Sequence, residues 1–200
     1  VGKSDIIGQV CRDLGVNLII EHPAVADPTD YKGMPYASDG KAMFLPFGNL
    51  EKIINATERT VYFLDDLGQA APAVQKATMQ LLQARRINGH KVADCVTFIS
   101  ATNGHLDRAG VTGLFETVKS RHKTIIELTT DMNDWVPWAL KAGLPTELIA
   151  FIRFRPGLLH DFQPTNELKN SPCPRTVEAV GRLFQAGVPA HLEYEVYSGA

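Results

Sequence analysis

The chain has 200 residues, 44% hydrophobic and 21% charged, the balance of a soluble globular protein with room for one α/β domain and a small appendage. Its 20 basic and 22 acidic residues leave a formal net charge of −2, so bulk charge does not hold it on nucleic acid. No stretch approaches the ~18 apolar residues of a membrane span. The first residues lack a signal-peptide layout, and Cys11, Cys95 and Cys173 form no C-x-x-C pair that would signal zinc or a disulfide framework. Free thiols in a reducing cytoplasm are the expectation.

The chain begins Val1-Gly2-Lys3-Ser4, and Ile6, Ile7, Val10, Cys11 and Leu14 then recur at helical spacing until Gly15, which predicts a helix over 4–14. Residues 16–22 read as a short strand. Residues 23–48 are rich in Pro, Gly and Asp without a steady period, so they predict a long loop or an insertion with short elements of its own. A short helix is expected over 50–57. Residues 60–67, "TVYFLDDL", form a buried strand ending in two carboxylates. A helix follows over 72–85, with Val74, Ala77, Thr78, Leu81 and Leu82 on one face. Asn88-Gly89 between short β-like flanks predicts a hairpin over 85–92. Further strands are expected over 95–103, "CVTFISATN", and 124–129, "TIIELT". After Thr130 the texture turns helical between Gly and Pro breaks. This predicts an α/β part over 1–130 and an all-helical part over 131–200.

Several of these segments carry groups suited to chemistry. Asp65 and Asp66 lie at the C-terminal end of a buried strand, where open α/β sheets bind ligands. The plainer alternative is a strand entering an acidic turn. "GKS" is the second half of the phosphate-binding pattern G-x-x-x-x-G-K-[S/T], with only Val1 ahead of Gly2. In such a loop Lys3 would reach the β- and γ-phosphates and the Ser4 hydroxyl would ligate Mg²⁺ at a helix N-terminus. Asp65 would hold that Mg²⁺ through water, and Asp66 would orient the attacking water. Asn103 ends a strand and would place its amide beside the γ-phosphate, although Asn is also common in ordinary strand-end turns. Arg121 precedes the expected strand at 124–129, where an arginine finger could project from a subunit edge; a solvated arginine is the plain alternative. Pro174-Arg175 opens a helix, as Pro in a first turn does.

The order "GKS", "VYFLDD", "FISATN", "KSR", "PRT" resembles an AAA+ ATPase, as Walker A, Walker B, sensor 1, arginine finger and sensor 2. "LDDLGQAAPAVQKATMQLLQARRINGHKV", "DWVPWALKAGLPTELIAFIRFRPGLLHDF" and "PCPRTVEAV" are similar to the MoxR branch of that family. The resemblance implies a P-loop NTPase fold: a parallel-sheet core cut within Walker A and lacking its first central strand, followed by a helical lid. It implies ATP and Mg²⁺ as ligands, with Gly2, Lys3 and Ser4 in Walker A and Asp65 and Asp66 in Walker B. Asn103 would be sensor 1, Arg121 would act in trans on a neighbour's ATP, and Arg175 would be sensor 2. The implied activity is ATP-driven remodelling of protein complexes in the cytoplasm by a homo-oligomeric ring, expected to be a hexamer. Residues 23–48 and 85–92 would touch the client, and relatives often work with a partner bearing a von Willebrand factor A domain.

One departure concerns the second Walker B acid, usually Glu and here Asp66. Its carboxylate is set back by ~1.5 Å, a C–C bond length, and misplacement on the order of 1 Å can slow a reaction ~100-fold. Slow hydrolysis, or a nucleotide switch, is therefore a second expectation. A nucleic-acid motor or loader, or the NTPase of a restriction-type complex, would share every motif. Lys32 and Lys41 against Asp27, Asp30 and Asp39 in the insertion weigh against DNA, while Arg85-Arg86 keep it in view, with a solvated pair the plainer reading. Arg108 is a weaker candidate for a subunit contact. The six histidines show no metal-binding spacing, Trp135 and Trp138 read as core, and His160-Asp161 as a helix cap.

Overall fold

The computed structural model describes residues 2–104, 113–163, 170–193 and 196. Helix α1 (Lys3–Leu14) stops where Gly15 turns left-handed at φ +61, and Val16 N–H bonds back to the Cys11 carbonyl at 2.9 Å. The chain then enters β1 (Asn17–Glu21). The insertion has elements of its own: α2 (Pro28–Lys32), β2 (Met34–Ser38) and β3 (Lys41–Leu45). Asp27 caps α2 reciprocally with Asp30, and Pro28 sets the first turn. Gly33 follows at φ +89, where a Cβ would stand 2.8 Å from the Leu45 carbonyl oxygen, so only glycine fits. Asp39 and Gly40, both at positive φ, turn the β2–β3 hairpin.

Helix α3 (Gly48–Ile54) leads into β4 (Thr60–Leu64), and α4 (Pro72–Ala84) follows after a 3-10 turn at Leu67–Gln69. Strands β5 (Arg86–Ile87) and β6 (His90–Lys91) form the expected hairpin, with Asn88 at φ 45 and Gly89 at φ 89. Then come β7 (Val96–Ser100) and the short α5 (Glu116–Lys119). Beyond them lie α6 (Met132–Lys141), α7 (Thr146–Phe154) and α8 (Pro174–Ala186).

The protein is an α/β fold around a parallel sheet of β1, β4 and β7 in that order. The central position goes to the most apolar strand. Tyr62, Phe63 and Leu64 of β4 are fully buried, as an inner parallel strand covered on both faces requires. Around Tyr62 and Leu64 pack Leu50 and Ile53 of α3, Val74, Ala77 and Leu81 of α4, and Val118 of α5.

The chain divides into two compact units, Lys3–Ile126 and the residues from Glu127 onward. The second has its own core of Trp135, Ala139, Leu144, Ile149, Ile152, Leu159 and Val177. Gly181 lets α8 close on its neighbours, since a Cβ there would meet Leu148 at 3.0 Å and Leu144 at 3.1 Å. The cap expected of His160 takes another form: its Nδ1 hydrogen-bonds the Thr130 hydroxyl at 3.1 Å, after a 3-10 turn at Pro156–Leu159. Among the described residues no helix is long and apolar enough to cross a membrane.

The expected strand at 124–129 does not form. The segment takes no regular structure, and Ile125 and Ile126 are 73% and 77% exposed. A β-branched run becomes a strand only beside a neighbour that shares its backbone hydrogen bonds. Among the described residues this segment pairs with no strand.

Candidate functional site

Three chain ends meet at the C-terminal rim of the sheet: the start of α1, the exit from β4 and the exit from β7. The strand pairing carries on past the strands themselves. Asp65 N–H donates to the Glu21 carbonyl, Ala101 N–H to the Leu64 carbonyl and Leu67 N–H to the Ala101 carbonyl, each at 2.9 Å. These bonds fix the backbone on which Asp65 and Asn103 stand.

Helix α1 supplies the other two groups. The Lys3 ammonium donates to Asn103 Oδ1 at 2.6 Å, and the Ser4 hydroxyl donates to Asp65 Oδ2. Four residues picked out separately in the sequence thus form two cross-chain pairs. Asp65 is 9% exposed, while Lys3, Ser4 and Asn103 are half-buried. Gly2 precedes them at φ +70, a conformation glycine adopts without strain. Asp66, half-buried, sits in the left-handed region at φ 53 and ψ 38 and opens the 3-10 turn by accepting the Gln69 N–H. Asp tolerates that conformation better than most side chains.

An ammonium, a hydroxyl and a carboxylate beside the N-terminus of a 12-residue helix suit a phosphate with a hydrated divalent cation. The donor set fits Mg²⁺ because that ion keeps several waters and uses few protein oxygens. Among the described residues there is no group of three or more His, Cys, Asp or Glu side chains that would form a dedicated cage.

Arg121 lies one turn past α5. Its Nη1 donates to the Thr117 carbonyl, while its Nε is buried without a hydrogen-bond partner among the described residues. Arg175 is the second residue of α8, exposed, in the second unit. That helix starts as Pro174 suggests, with Cys173 N–H donating to the Thr176 hydroxyl at 2.9 Å. Trp135 is buried in that unit's core with Trp138 packed against it. Arg108 falls outside the described residues.

Arg85 corrects the expectation of a solvated pair. It ends α4 at φ 51, donates from Nη2 to the Ala93 and Val96 carbonyls at 2.7 and 2.8 Å, and lies over the Phe98 ring at 5.4 Å. Arg86 is exposed, as expected. The hairpin beyond docks on the insertion: Asn88 donates to the Lys32 carbonyl at 2.8 Å, and His90 Nε2 hydrogen-bonds the Phe44 carbonyl at 3.0 Å. Met34, Tyr36, Met43, Phe44 and Leu45 of the insertion are exposed.

Two residues near the site were not foreseen. Gln75 of α4 is fully buried. Its amide nitrogen donates to the Ala70 and Gly113 carbonyls at 3.2 and 3.1 Å, and its oxygen accepts the Phe115 N–H at 3.2 Å. It borders the apolar stripe of α4, the only signal a helical pattern could give. His122 hydrogen-bonds the Val118 carbonyl through Nδ1 at 3.0 Å and the Ser100 hydroxyl through Nε2 at 2.9 Å. Nothing in its spacing marks it.

No protein-family model and no curated protein matches the chain. Among solved structures it is similar to the crystal structure of NtrX from Brucella abortus, at 15% identity over 76% of this chain and 40% of that one, with a TM-score of 0.46. The chain therefore spans well under half the length of that protein, and a likeness of this depth carries no argument.

Proposed function

We propose that the chain belongs to an ATP-hydrolysing AAA+ remodelling protein of the MoxR-like branch. One observation carries this reading: Lys3 and Ser4, at the start of α1, pair with Asn103 and Asp65 at the ends of two adjacent parallel strands. Groups suited to phosphate, cation and attacking water are thereby gathered on one rim.

In this reading Lys3 exchanges Asn103 for phosphate oxygens of ATP. Ser4 would hold Mg²⁺ through its hydroxyl and Asp65 would hold it through water. Mg²⁺, when bound, neutralises charge on the phosphates. The paired side chains start close to their working positions, which lowers the ordering entropy lost on binding. Asp66 accepts a hydrogen bond from the attacking water, Asn103 helps to orient that water, and Arg121 of a neighbouring subunit offsets charge developing on the transferred phosphoryl group.

We place the protein in a homo-oligomeric ring, expected to be hexameric and cytoplasmic, acting on a protein client with a von Willebrand factor A domain partner. The clipped pair of hairpins with their exposed Met34, Tyr36 and Met43 supports a protein client. The nucleic-acid motor loses ground because the Arg85 guanidinium donates to backbone carbonyls within its own unit.

The test is binding of a fluorescent ATP analogue, and ATP turnover across protein concentrations, with the full-length protein. We expect magnesium-dependent binding that Lys3→Ala abolishes, and specific activity that rises with concentration. Binding indifferent to Lys3 and to magnesium would overturn the proposal.

A further inference from the structure

We infer that His122 is a positioning residue: through the Ser100 hydroxyl it holds Arg121 in register with β7, whose last residue pairs with Leu64 beside Asp65 and which leads on to Asn103. Helix α5 has four residues, far too few to persist by itself. Its order comes from outside. Val118 is fully buried, and Gln75 accepts the Phe115 N–H at the residue before the helix. At the other end stands His122.

The chemistry of this contact is determined by its partners. The Val118 carbonyl can only accept, so His122 Nδ1 carries a proton. In the neutral ring Nε2 is then a lone pair, and it accepts the Ser100 O–H at 2.9 Å. The ring bridges the end of α5 to the last residue of β7. Ser100 is paired with Leu64, the residue before Asp65, and lies on the same strand exit as Asn103. Arg121 is the residue immediately before the bridge. Among the described residues its side chain is anchored locally: Nη1 donates to the Thr117 carbonyl of its own turn, and Nε is buried without a partner. The His122–Ser100 bond thus ties the base of Arg121 to the rim of the site. That Arg121 acts in hydrolysis rests on the proposed function; that His122 fixes it does not.

Two readouts separate these claims. The first needs no nucleotide: the ¹⁵N resonances of the Arg121 Nε–H and of the His122 ring in the full-length protein. We expect His122 protonated at Nδ1 and an Arg121 Nε–H shielded from solvent. Ser100→Ala and His122→Gln should each speed its exchange by about tenfold or more, the order of one lost hydrogen bond, with thermal stability little changed. Ser100→Thr, which keeps the hydroxyl, should restore it. An Arg121 signal unchanged in both variants, or an unprotonated His122 Nδ1, would overturn the inference. The second readout is turnover. Ser100→Ala should lower kcat by about tenfold with KM unchanged, and should add nothing to Arg121→Ala, as coupled residues behave. An additive loss in the double variant counts against the inference. If Arg121→Ala alone leaves turnover intact, the finger assignment fails, and the resonances still decide the role of His122.

Discussion

The Lys3 ammonium and the Asn103 side-chain oxygen, 100 positions apart in the chain, share a 2.6 Å hydrogen bond. The partner is a neutral amide, so the charge on Lys3 is bound but not cancelled and remains available to an incoming anion. The two residues should therefore fail differently. Lys3→Ala removes the cation and should abolish binding of an ATP analogue. Asn103→Ala leaves the cation and should keep affinity within about threefold while lowering turnover on the order of 100-fold, the scale of one lost transition-state contact. Equal losses of affinity in both variants would reduce Asn103 to a resting partner for Lys3.

Asp65 and Asp66 are adjacent, yet the backbone separates them: Asp65 directly follows β4, its N–H still bonded to the Glu21 carbonyl, and Asp66 is left-handed at φ 53. Asp65→Asn keeps the shape and loses the charge, so its effect should be a weakened magnesium dependence. Asp66→Glu should instead raise turnover by about 10- to 100-fold with affinity unchanged, if the missing methylene misplaces the carboxylate by ~1 Å. Glu is less at ease in the left-handed region, and a loss of stability of up to about 1 kcal/mol should accompany it. A turnover that stays the same would show that the backbone already brings Asp66 far enough forward, and would remove the case for a slow nucleotide switch.

Much of the rim was legible because its signals are local. Asn88-Gly89 reads as a tight turn between β-like flanks, and four apolar residues followed by two acids mark the exit of a buried strand, whereas the helix capped by Asp27 lay unread inside a loop or insertion without a period. The pairing of Lys3 with Asn103 was expected only as a shared neighbourhood, through a resemblance of motif order. What could not be read depends on partners distant in sequence. Residues 124–129 have strand composition but pair with no strand among the described residues, so composition misleads there. Arg85 looks solvated until α4 ends on it and turns its guanidinium toward Ala93 and Val96. Gln75 and His122 belong to no pattern, because part of what satisfies each lies 22 to 40 positions away.

Gln75 gives a stability prediction. It is fully buried and satisfies two carbonyls and one N–H. Gln75→Met fills nearly the same volume and strands all three. Each buried unpaired group costs roughly 1–3 kcal/mol, so with local relaxation a loss of about 3 kcal/mol is expected. Both tryptophans lie in the second unit, so their fluorescence reports that unit's core. Hydrogen exchange at the Phe115 amide reports the first. The exchange should accelerate strongly while the tryptophan transition stays in place. Unchanged protection of that amide would mean that Gln75 does not hold the segment leading into α5.

Tyr31 and Tyr62 predict how stability responds to alkali. Both rings are fully buried, and neither hydroxyl has a hydrogen-bond partner among the described residues. Burial, and then the nearby Glu21 carboxylate, push both phenols well above their ordinary value of 10.0. The folded protein therefore keeps both protons at a pH where the unfolded chain has released them. With fewer protons bound in the unfolded state, stability is fully present below pH ~10 and falls as the pH rises beyond it, by about 1.4 kcal/mol per pH unit for each tyrosine. Tyr62→Phe removes an unpaired buried hydroxyl, so it should raise stability near neutrality by about 1 kcal/mol and flatten the alkaline fall. Tyr31→Phe should do the same. Urea unfolding of the three proteins between pH 8 and 11 measures both effects. A Tyr62→Phe variant less stable than the parent at pH 8 would show that its hydroxyl is hydrogen-bonded after all, with Glu21 the nearest acceptor to examine.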